Sequence, residues 1–292
     1  MRNFLIASLY VISIILIGID CKSESDNIAS SPDGVKISFS QQGNGETSIV
    51  FVHGWSNNKS IWDDQMSYFS EKYRVVAVDL AGFGESGNNR ENWTIENFSQ
   101  DVVAVINKLK LNKLVLVGFS MGAPVVLETA NRIPDRTIGV VIVDMLQNVE
   151  MRFPPPVIDY VDSLFMDLAT NPTNEKLMAG GFYKKNPEIA YKRVLAMLKD
   201  TTRIGWSESL RNTLDWQNEK CATALSRITI PVRAINSENE PTNVEAFRKY
   251  VPSFQADIIP GTGHVIMWDA PEQFNQRLED DIQEFIRQSK SE

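Results

Sequence analysis

Histidine and cysteine are scarce in this chain of 292 residues, which contains two of each. Any mechanism that needs an imidazole as base or ligand must therefore use His53 or His264. A zinc site of three histidines cannot form, and Cys21 and Cys221 are too few for a cysteine-rich metal cluster. The sequence thus predicts neither a metal nor another cofactor.

Positive charge is also in short supply, because the chain has a formal net charge of −8 and a pI near 5.0. A nucleic-acid partner requires a basic surface, so this composition argues against one. Hydrophobic residues make up 43% of the chain, which is typical of an ordinary globular protein. We therefore expect a small-molecule substrate as the partner, and the sequence makes no prediction of the oligomeric state.

The N-terminus predicts an export signal over residues 1–21. Arg2 precedes an uncharged apolar run, 4–19, which is shorter than the roughly twenty residues of a membrane span. Cys21 after this run resembles the lipidation site of bacterial lipoproteins, although Asp20 stands where that motif has a small neutral residue. Three outcomes stay open: a cleaved signal, an uncleaved anchor, or a lipid on Cys21. We expect export to a bacterial cell envelope or periplasm, with membrane attachment in the last two cases, and a linker over 22–33.

From residue 34 onward, short apolar runs alternate with segments of helical periodicity. The apolar runs, which suit strands buried on both faces, are 49–52, 75–78, 114–117, 140–143 and 231–235. The helical segments are 62–71, 95–109, 124–132 and 272–288. This order predicts an α/β fold with a mostly parallel central sheet and helices on both faces, with an antiparallel edge strand near 35–39.

One region interrupts this alternation. About ninety residues separate the strand ending at Val143 from the strand beginning at Pro231, which is more than a crossover needs. They include three consecutive prolines, 154–156, followed by aromatic-rich segments of helical periodicity. We predict an inserted helical lid over residues 148–228. The core would then consist of two parts, 34–147 and 229–292.

The sequence Gly118-Phe119-Ser120-Met121-Gly122 follows a predicted buried strand and precedes a predicted helix. A G-x-S-x-G motif in this context predicts a nucleophile elbow, in which a tight turn exposes the serine. The turn also points the N-terminus of the following helix at the serine, where it stabilises negative charge. Ser120 is therefore the candidate nucleophile.

Three further motifs accompany the serine motif: His-Gly-Trp at 53–55, Asp-Leu-Ala-Gly-Phe-Gly-Glu-Ser at 79–86, and Gly-Thr-Gly-His at 261–264 followed by Pro271-Glu272. With these motifs in this order, residues 34–290 resemble the α/β-hydrolase superfamily, specifically its lid-bearing, esterase-like branch. The resemblance implies an α/β-hydrolase fold and hydrolysis of an ester or related carbonyl bond.

The resemblance separates the two histidines. It implies that His264 is the base that takes the proton from Ser120, and that His53 is a buried structural residue of the oxyanion loop. The oxyanion hole would consist of the backbone N–H groups of Trp55 and Met121.

The chain departs from the family pattern at the acid. The family places an aspartate after the strand at 231–235, about 28 residues before the histidine, but Asn236 occupies that position. The acids of that loop are Glu238 and Glu240. Some members carry the acid after the preceding strand, where this chain has Asp144. We predict Asp144 as the third member of the triad and keep Glu240 as the alternative.

These features together predict a serine hydrolase that cleaves a small, largely apolar substrate through an acyl-enzyme on Ser120. The same constellation would also serve a carbon–carbon hydrolase, a thioesterase or a perhydrolase. An alternative from a different class is a ligand-binding sensor that turns over slowly on this fold.

Overall fold

The computed structural model describes residues 27–179, 181–199 and 203–290. The export signal predicted for 1–21, with Cys21, lies outside the described residues, as does the first part of the predicted linker. The linker prediction is wrong for its last part, because Ile28–Ser30 is a strand. Ala29 is buried there, and the following Ser31 hydroxyl donates to the Asp101 carboxylate at 2.7 Å. The ordered core therefore begins before residue 34.

The sheet has eight strands, and the predicted mostly parallel arrangement is confirmed. The strands are β1 (Ile28–Ser30), β2 (Lys36–Gln42), β3 (Ser48–Val52), β4 (Arg74–Val78), β5 (Leu114–Phe119), β6 (Thr137–Val143), β7 (Val232–Ser237) and β8 (Gln255–Ile259). Their spatial order is β1-β2-β4-β3-β5-β6-β7-β8. Strand β2 runs antiparallel to both of its neighbours, and the other pairs are parallel. The carboxyl ends of β3, β5, β6 and β7 therefore meet at one edge of the sheet.

Helices cover both faces of this sheet. They are α1 (Asp63–Phe69), α2 (Ile95–Lys108), α3 (Gly122–Arg132), α4 (Pro155–Thr170), α5 (Asn174–Ala179), α6 (Pro187–Leu198), α7 (Trp206–Glu219), α8 (Cys221–Ser226), α9 (Val244–Arg248), α10 (Ile266–Asp269) and α11 (Pro271–Gln288). Helices α2 and α3 pack against each other on one face, and α1 and α11 pack together on the other. Among the described residues, no helix combines the length and hydropathy needed to cross a membrane.

The central strands form the core because they are covered on every side. All residues of β3 and β5 are buried, which explains their uninterrupted apolar sequences. Strand β8 lies at the edge of the sheet, and most of its residues stay partly exposed. Its sequence therefore lacks the continuous apolar run that marks the inner strands.

Helices α4 to α8, here called the helical insertion, lie between β6 and β7, within the segment predicted as a lid. Trp206 of α7 anchors the insertion to the core. Its ring stacks on Phe83 with centroids 5.3 Å apart, and its indole N–H donates to the Gly82 carbonyl at 3.0 Å. The indole N–H of Trp55 donates in turn to the Trp206 carbonyl at 2.7 Å. The insertion is thus tied to the turn that follows β3.

Asp281 of α11 is a buried carboxyl whose protonation should make stability depend on pH. Its Oδ1 lies 3.8 Å from Nε of Arg233, yet burial raises the pKa of Asp281 from 3.8 to about 7. The folded state then binds more protons than the unfolded chain between about pH 4 and 7, so the free energy of unfolding falls as pH rises through that window. The contribution to the slope is at most about 1.4 kcal/mol per pH unit.

We expect Asp281→Asn to flatten this part of the pH profile, as measured by urea denaturation at several values between pH 4.5 and 7.5. Glu71→Gln removes an exposed carboxylate that is not among the charges acting on Asp281, and it is the matched control. An Asp281→Asn variant that keeps the wild-type slope would contradict the assignment.

Candidate active site

Ser120 lies in a sharp turn between β5 and α3. Its φ of 50° falls in the left-handed region, which is unfavourable for a residue with a side chain. The turn is held because the Ser120 N–H donates to the Val143 carbonyl at 3.0 Å. A Cβ on Gly118 would lie 2.3 Å from the Gly122 carbonyl oxygen, and one on Gly122 would lie 2.6 Å from that of Val52. The motif needs its glycines because β3, β5 and α3 approach one another at this point.

His264 lies in the loop between β8 and α10, and its ring is held by a carboxylate. Its Nδ1 is 2.7 Å from Oδ2 of Asp144, a nearly buried residue at the end of β6. The other oxygen of Asp144 accepts the Ser237 N–H at 2.7 Å. The rings of Phe119 and Phe182 flank the imidazole, with centroids 4.8 and 5.8 Å away. These contacts fix the orientation of the imidazole.

The acids of the loop after β7 lie elsewhere. Glu238 is exposed, accepts the Gly261 N–H at 3.1 Å and pairs with the Lys184 ammonium at 3.3 Å. Glu240 lines a cavity that His264 also lines, but the carboxylate that the imidazole contacts is that of Asp144. Asn236 is buried, and its amide donates to the Thr242 hydroxyl at 2.8 Å. The structure therefore brings the predicted acid, Asp144, into contact with His264, and among the described residues the imidazole makes no hydrogen bond to the alternative acid.

Ser120 and His264 line two adjoining cavities. Both cavities also share the side chains of Trp55, Phe165 and Phe182. The first, the apolar cavity, lies beneath the helical insertion and is lined further by Leu168, Leu177, Val194 and Leu198. The second, the mixed cavity, is also lined by polar side chains, those of Gln147, Asn148, Gln217, Asn239 and Glu240. A substrate bound at Ser120 would thus meet an apolar surface on one side and a partly polar one on the other.

Trp55 and Met121 place two backbone amides beside the serine. Met121 directly follows Ser120 and precedes the first turn of α3, and Trp55 follows the turn glycine after β3. A Cβ on that glycine, Gly54, would lie 3.0 Å from the Ser120 Cβ, so the two turns are in close contact. Within the described ranges, neither amide N–H donates to a protein acceptor. Both remain available to a negatively charged oxygen at this position.

His53 has a different environment from His264. It is fully buried, with Nδ1 2.7 Å from the Gly54 carbonyl oxygen and Nε2 accepting the Leu80 N–H at 3.1 Å. Burial lowers the pKa of His53, so the ring is neutral and carries its proton on Nδ1. It joins the turn after β3 to the turn after β4. In the described part of the chain, no three histidine, cysteine or acidic side chains are grouped to hold a metal ion.

Lys59 is a residue that the sequence reasoning missed. Its ammonium lies 2.6 Å from the buried carboxylate of Asp79, and its backbone N–H donates to the same carboxylate at 2.6 Å. The Glu85 N–H donates to Asp79 as well, at 2.9 Å. Asp79 is therefore fully used in joining the segment after Trp55 to the end of β4, and it does not reach the serine site. No motif marks this role of Lys59.

Comparison with known proteins identifies the family. The model of the alpha/beta hydrolase family matches residues 49–277, which includes Ser120, His264 and both candidate acids. The chain belongs to the alpha/beta hydrolase family.

Individual relatives are distant. The biotin biosynthesis bifunctional protein BioHC of Cellvibrio japonicus is 24% identical over 242 residues, which cover 80% of this chain and 47% of that protein. A putative non-heme chloroperoxidase of Synechocystis is 26% identical over 254 residues, covering 79% of this chain and 89% of the relative. The structure of an esterase from Exiguobacterium antarcticum superposes with a TM-score of 0.75 at 22% identity, covering 88% and 99% of the two chains. The chain thus spans about half of BioHC, and the superposition shows the shared fold.

Proposed function

We propose that this protein is a serine hydrolase that cleaves esters or related carbonyl compounds. The observation that carries the proposal is the arrangement of three side chains at one edge of the sheet. Ser120, in a strained turn, lines the same cavities as His264, and the Nδ1 of His264 is bonded to the buried carboxylate of Asp144. A serine, a base and an acid that orients the base are the elements of nucleophilic acyl transfer.

In the first half of the reaction, Ser120 Oγ attacks the carbonyl carbon while His264 Nε2 takes the hydroxyl proton. The carbonyl oxygen becomes an oxyanion and accepts hydrogen bonds from the backbone N–H groups of Trp55 and Met121. The tetrahedral intermediate collapses, the bond to the leaving group breaks, and His264 returns the proton to that group. In the second half, His264 takes a proton from water as the water attacks the acyl carbon, and it returns that proton to Ser120 Oγ as the bond to the acyl group breaks and the acid is released.

Asp144 would act on the imidazole and not on the substrate. A carboxylate 2.7 Å from Nδ1 accepts a hydrogen bond from Nδ1–H, which keeps the proton on that nitrogen and leaves Nε2 unprotonated and free to act as the base. The same negative charge stabilises the imidazolium that forms during attack.

The cavities suggest a small, largely apolar substrate, and we propose that the helical insertion serves as a lid. Phe165 of α4 and Phe182, between α5 and α6, reach from the insertion to the walls of both cavities. Leu177 and Val194 contribute further apolar side chains to the apolar cavity. Apolar walls with few polar groups are typical of sites that hold hydrocarbon parts of a ligand.

The proposal is tested by labelling with a fluorophosphonate and by turnover of short nitrophenyl esters. We expect one label per chain, mapped to Ser120 by peptide mass spectrometry, together with many turnovers per molecule. Labelling without turnover would contradict the hydrolase and support the ligand-binding sensor. Labelling at another residue would overturn the assignment of the nucleophile. Parallel assays with thioesters, with peracid formation and with a carbon–carbon substrate separate the related reactions.

A further inference from the structure

Asp269, the last residue of α10, is buried, and its carboxylate accepts three backbone N–H groups. Oδ2 accepts the Gly263 N–H at 2.6 Å and the Lys184 N–H at 2.9 Å, and Oδ1 accepts the Lys185 N–H at 2.9 Å. Gly263 immediately precedes His264, whereas Lys184 and Lys185 belong to the helical insertion. One carboxylate therefore joins the histidine loop to the insertion.

The two segments also pair directly through their backbones. The His264 N–H donates to the Gly181 carbonyl at 2.9 Å, and the Val265 N–H donates to the Phe182 carbonyl at 3.0 Å. A Cβ on Gly263 would lie 2.7 Å from both of these carbonyl oxygens, so the contact leaves no room for a side chain there. The backbone of His264 is thus held by the insertion rather than by the sheet.

The hydrogen bonds from the three backbone N–H groups to Asp269 are charge-assisted. Hydrogen bonds from N–H groups to an ionised carboxylate are roughly twice as strong as those between neutral groups. Burial, and then the charge of Asp269, raise the pKa of the neighbouring Tyr183 hydroxyl. The ammonium of Lys184 pairs instead with Glu238, so backbone N–H groups take both oxygens of Asp269.

We propose that Asp269 is a positioning residue for His264. By holding Gly263 against the insertion, it keeps the imidazole bonded to Asp144 and facing the cavity that contains Ser120. Movement of residues 181–185 would then displace the base, so the position of the insertion and proton transfer are linked. This role rests on the proposed function of His264 as the base.

The first test compares Asp269→Asn with Asp281→Asn in the full-length protein. Both replacements remove one buried carboxylate near the C-terminus, but Asp281 contacts Arg233 of the sheet and lies apart from the histidine loop. An asparagine at position 269 replaces one carboxylate oxygen with an NH₂ group, which cannot accept a hydrogen bond from a backbone N–H, so at least one of the three hydrogen bonds is lost. We expect kcat for a nitrophenyl ester to fall by up to about 10²-fold in Asp269→Asn, with KM within about threefold of wild type, because a small displacement of a catalytic group has that effect. The control should retain kcat within about twofold.

The second test uses proton NMR to observe the ring N–H signals of the two histidines. With two histidines in the chain, the ring N–H signals are few, and the buried Nδ1–H of His53 is an internal reference. We expect the Nδ1–H signal of His264 to be present in wild type and in Asp281→Asn, and to be lost or broadened in Asp269→Asn while that of His53 remains. This readout needs no turnover, so a wild-type protein without esterase activity would refute the proposed function but would still leave Asp269 testable.

Gly263→Ala provides an independent variant if Asp269→Asn does not fold. Its added methyl group should push the loop off the insertion and reproduce both the loss of kcat and the loss of the His264 signal. A variant, Asp269→Asn or Gly263→Ala, that keeps both the signal and the wild-type kcat would overturn the proposal. So would a loss of kcat that merely matches the fraction of unfolded protein.

Discussion

Replacement of Ser120 by alanine is expected to abolish ester hydrolysis and leave the protein folded. The elbow places this hydroxyl beside the Trp55 and Met121 amides, and no other hydroxyl occupies that turn. Removing the nucleophile of a serine hydrolase costs on the order of 10⁴–10⁶ in kcat, and the residual rate comes from binding and the oxyanion hole. Alanine retains a Cβ, so the strain at φ 50° is unchanged, and the Gly118 and Gly122 contacts that shape the turn persist.

The measurement is kcat/KM for a short nitrophenyl ester, with circular dichroism and a urea midpoint as tests of folding. Ser67→Ala is the matched control, because Ser67 is an exposed residue of α1 whose hydroxyl only donates to the Asp63 carbonyl. Purified in the same way, it should keep the wild-type kcat/KM and so shows that loss of a serine hydroxyl elsewhere leaves the activity unchanged. Activity in Ser120→Ala equal to that of this control would contradict the mechanism.

Much of the fold could be predicted because the inner strands can be recognised from their own sequences. Strands such as β3 and β5 are buried on both faces, so their sequences are continuous apolar runs. Strand β1 was missed because it is three residues long and pairs with a single neighbour at the edge of the sheet. Strand β8 also lies at an edge, where half-exposed positions accept polar residues such as Gln255 and Asp257.

Some residues of the candidate site could likewise be predicted from the sequence, and others could not. Ser120 lies in a motif that its tight turn requires, so local sequence was enough to select it, whereas His264 was selected through the resemblance to the α/β-hydrolase superfamily. Asp269 accepts hydrogen bonds from the backbone of Lys184, and the Asp79 carboxylate accepts them from the ammonium and the backbone N–H of Lys59, so only the folded chain brings these groups together. A hydrogen bond to a backbone N–H leaves no mark on the sequence of the donor, because any residue except proline supplies one.

The choice between Asp144 and Glu240 depends on the folded backbone as well. Both follow strands, β6 and β7, that are neighbours in the sheet, so both project from the same edge. The contact of Asp144 with His264 spans 120 residues of sequence. We expect Asp144→Asn to lower kcat by about 10⁴, the loss typical of a triad aspartate converted to asparagine. Glu240→Gln, which changes an acid in the cavity wall away from the imidazole Nδ1, should retain kcat within about twofold.

The large loss of kcat expected for Asp144→Asn follows from its effect on the tautomer of His264. An asparagine amide can donate an N–H to Nδ1, which stabilises the imidazole with its proton on Nε2, and that nitrogen can then no longer accept the proton of Ser120. The remaining amide oxygen can still accept the Ser237 N–H, so the end of β7 stays in place and the fold survives. Rates of both variants over pH 5 to 9, with the urea midpoint as a measure of stability, provide the comparison. A large loss in Glu240→Gln with a small one in Asp144→Asn would reassign the acid, and two small losses would remove both residues from the triad.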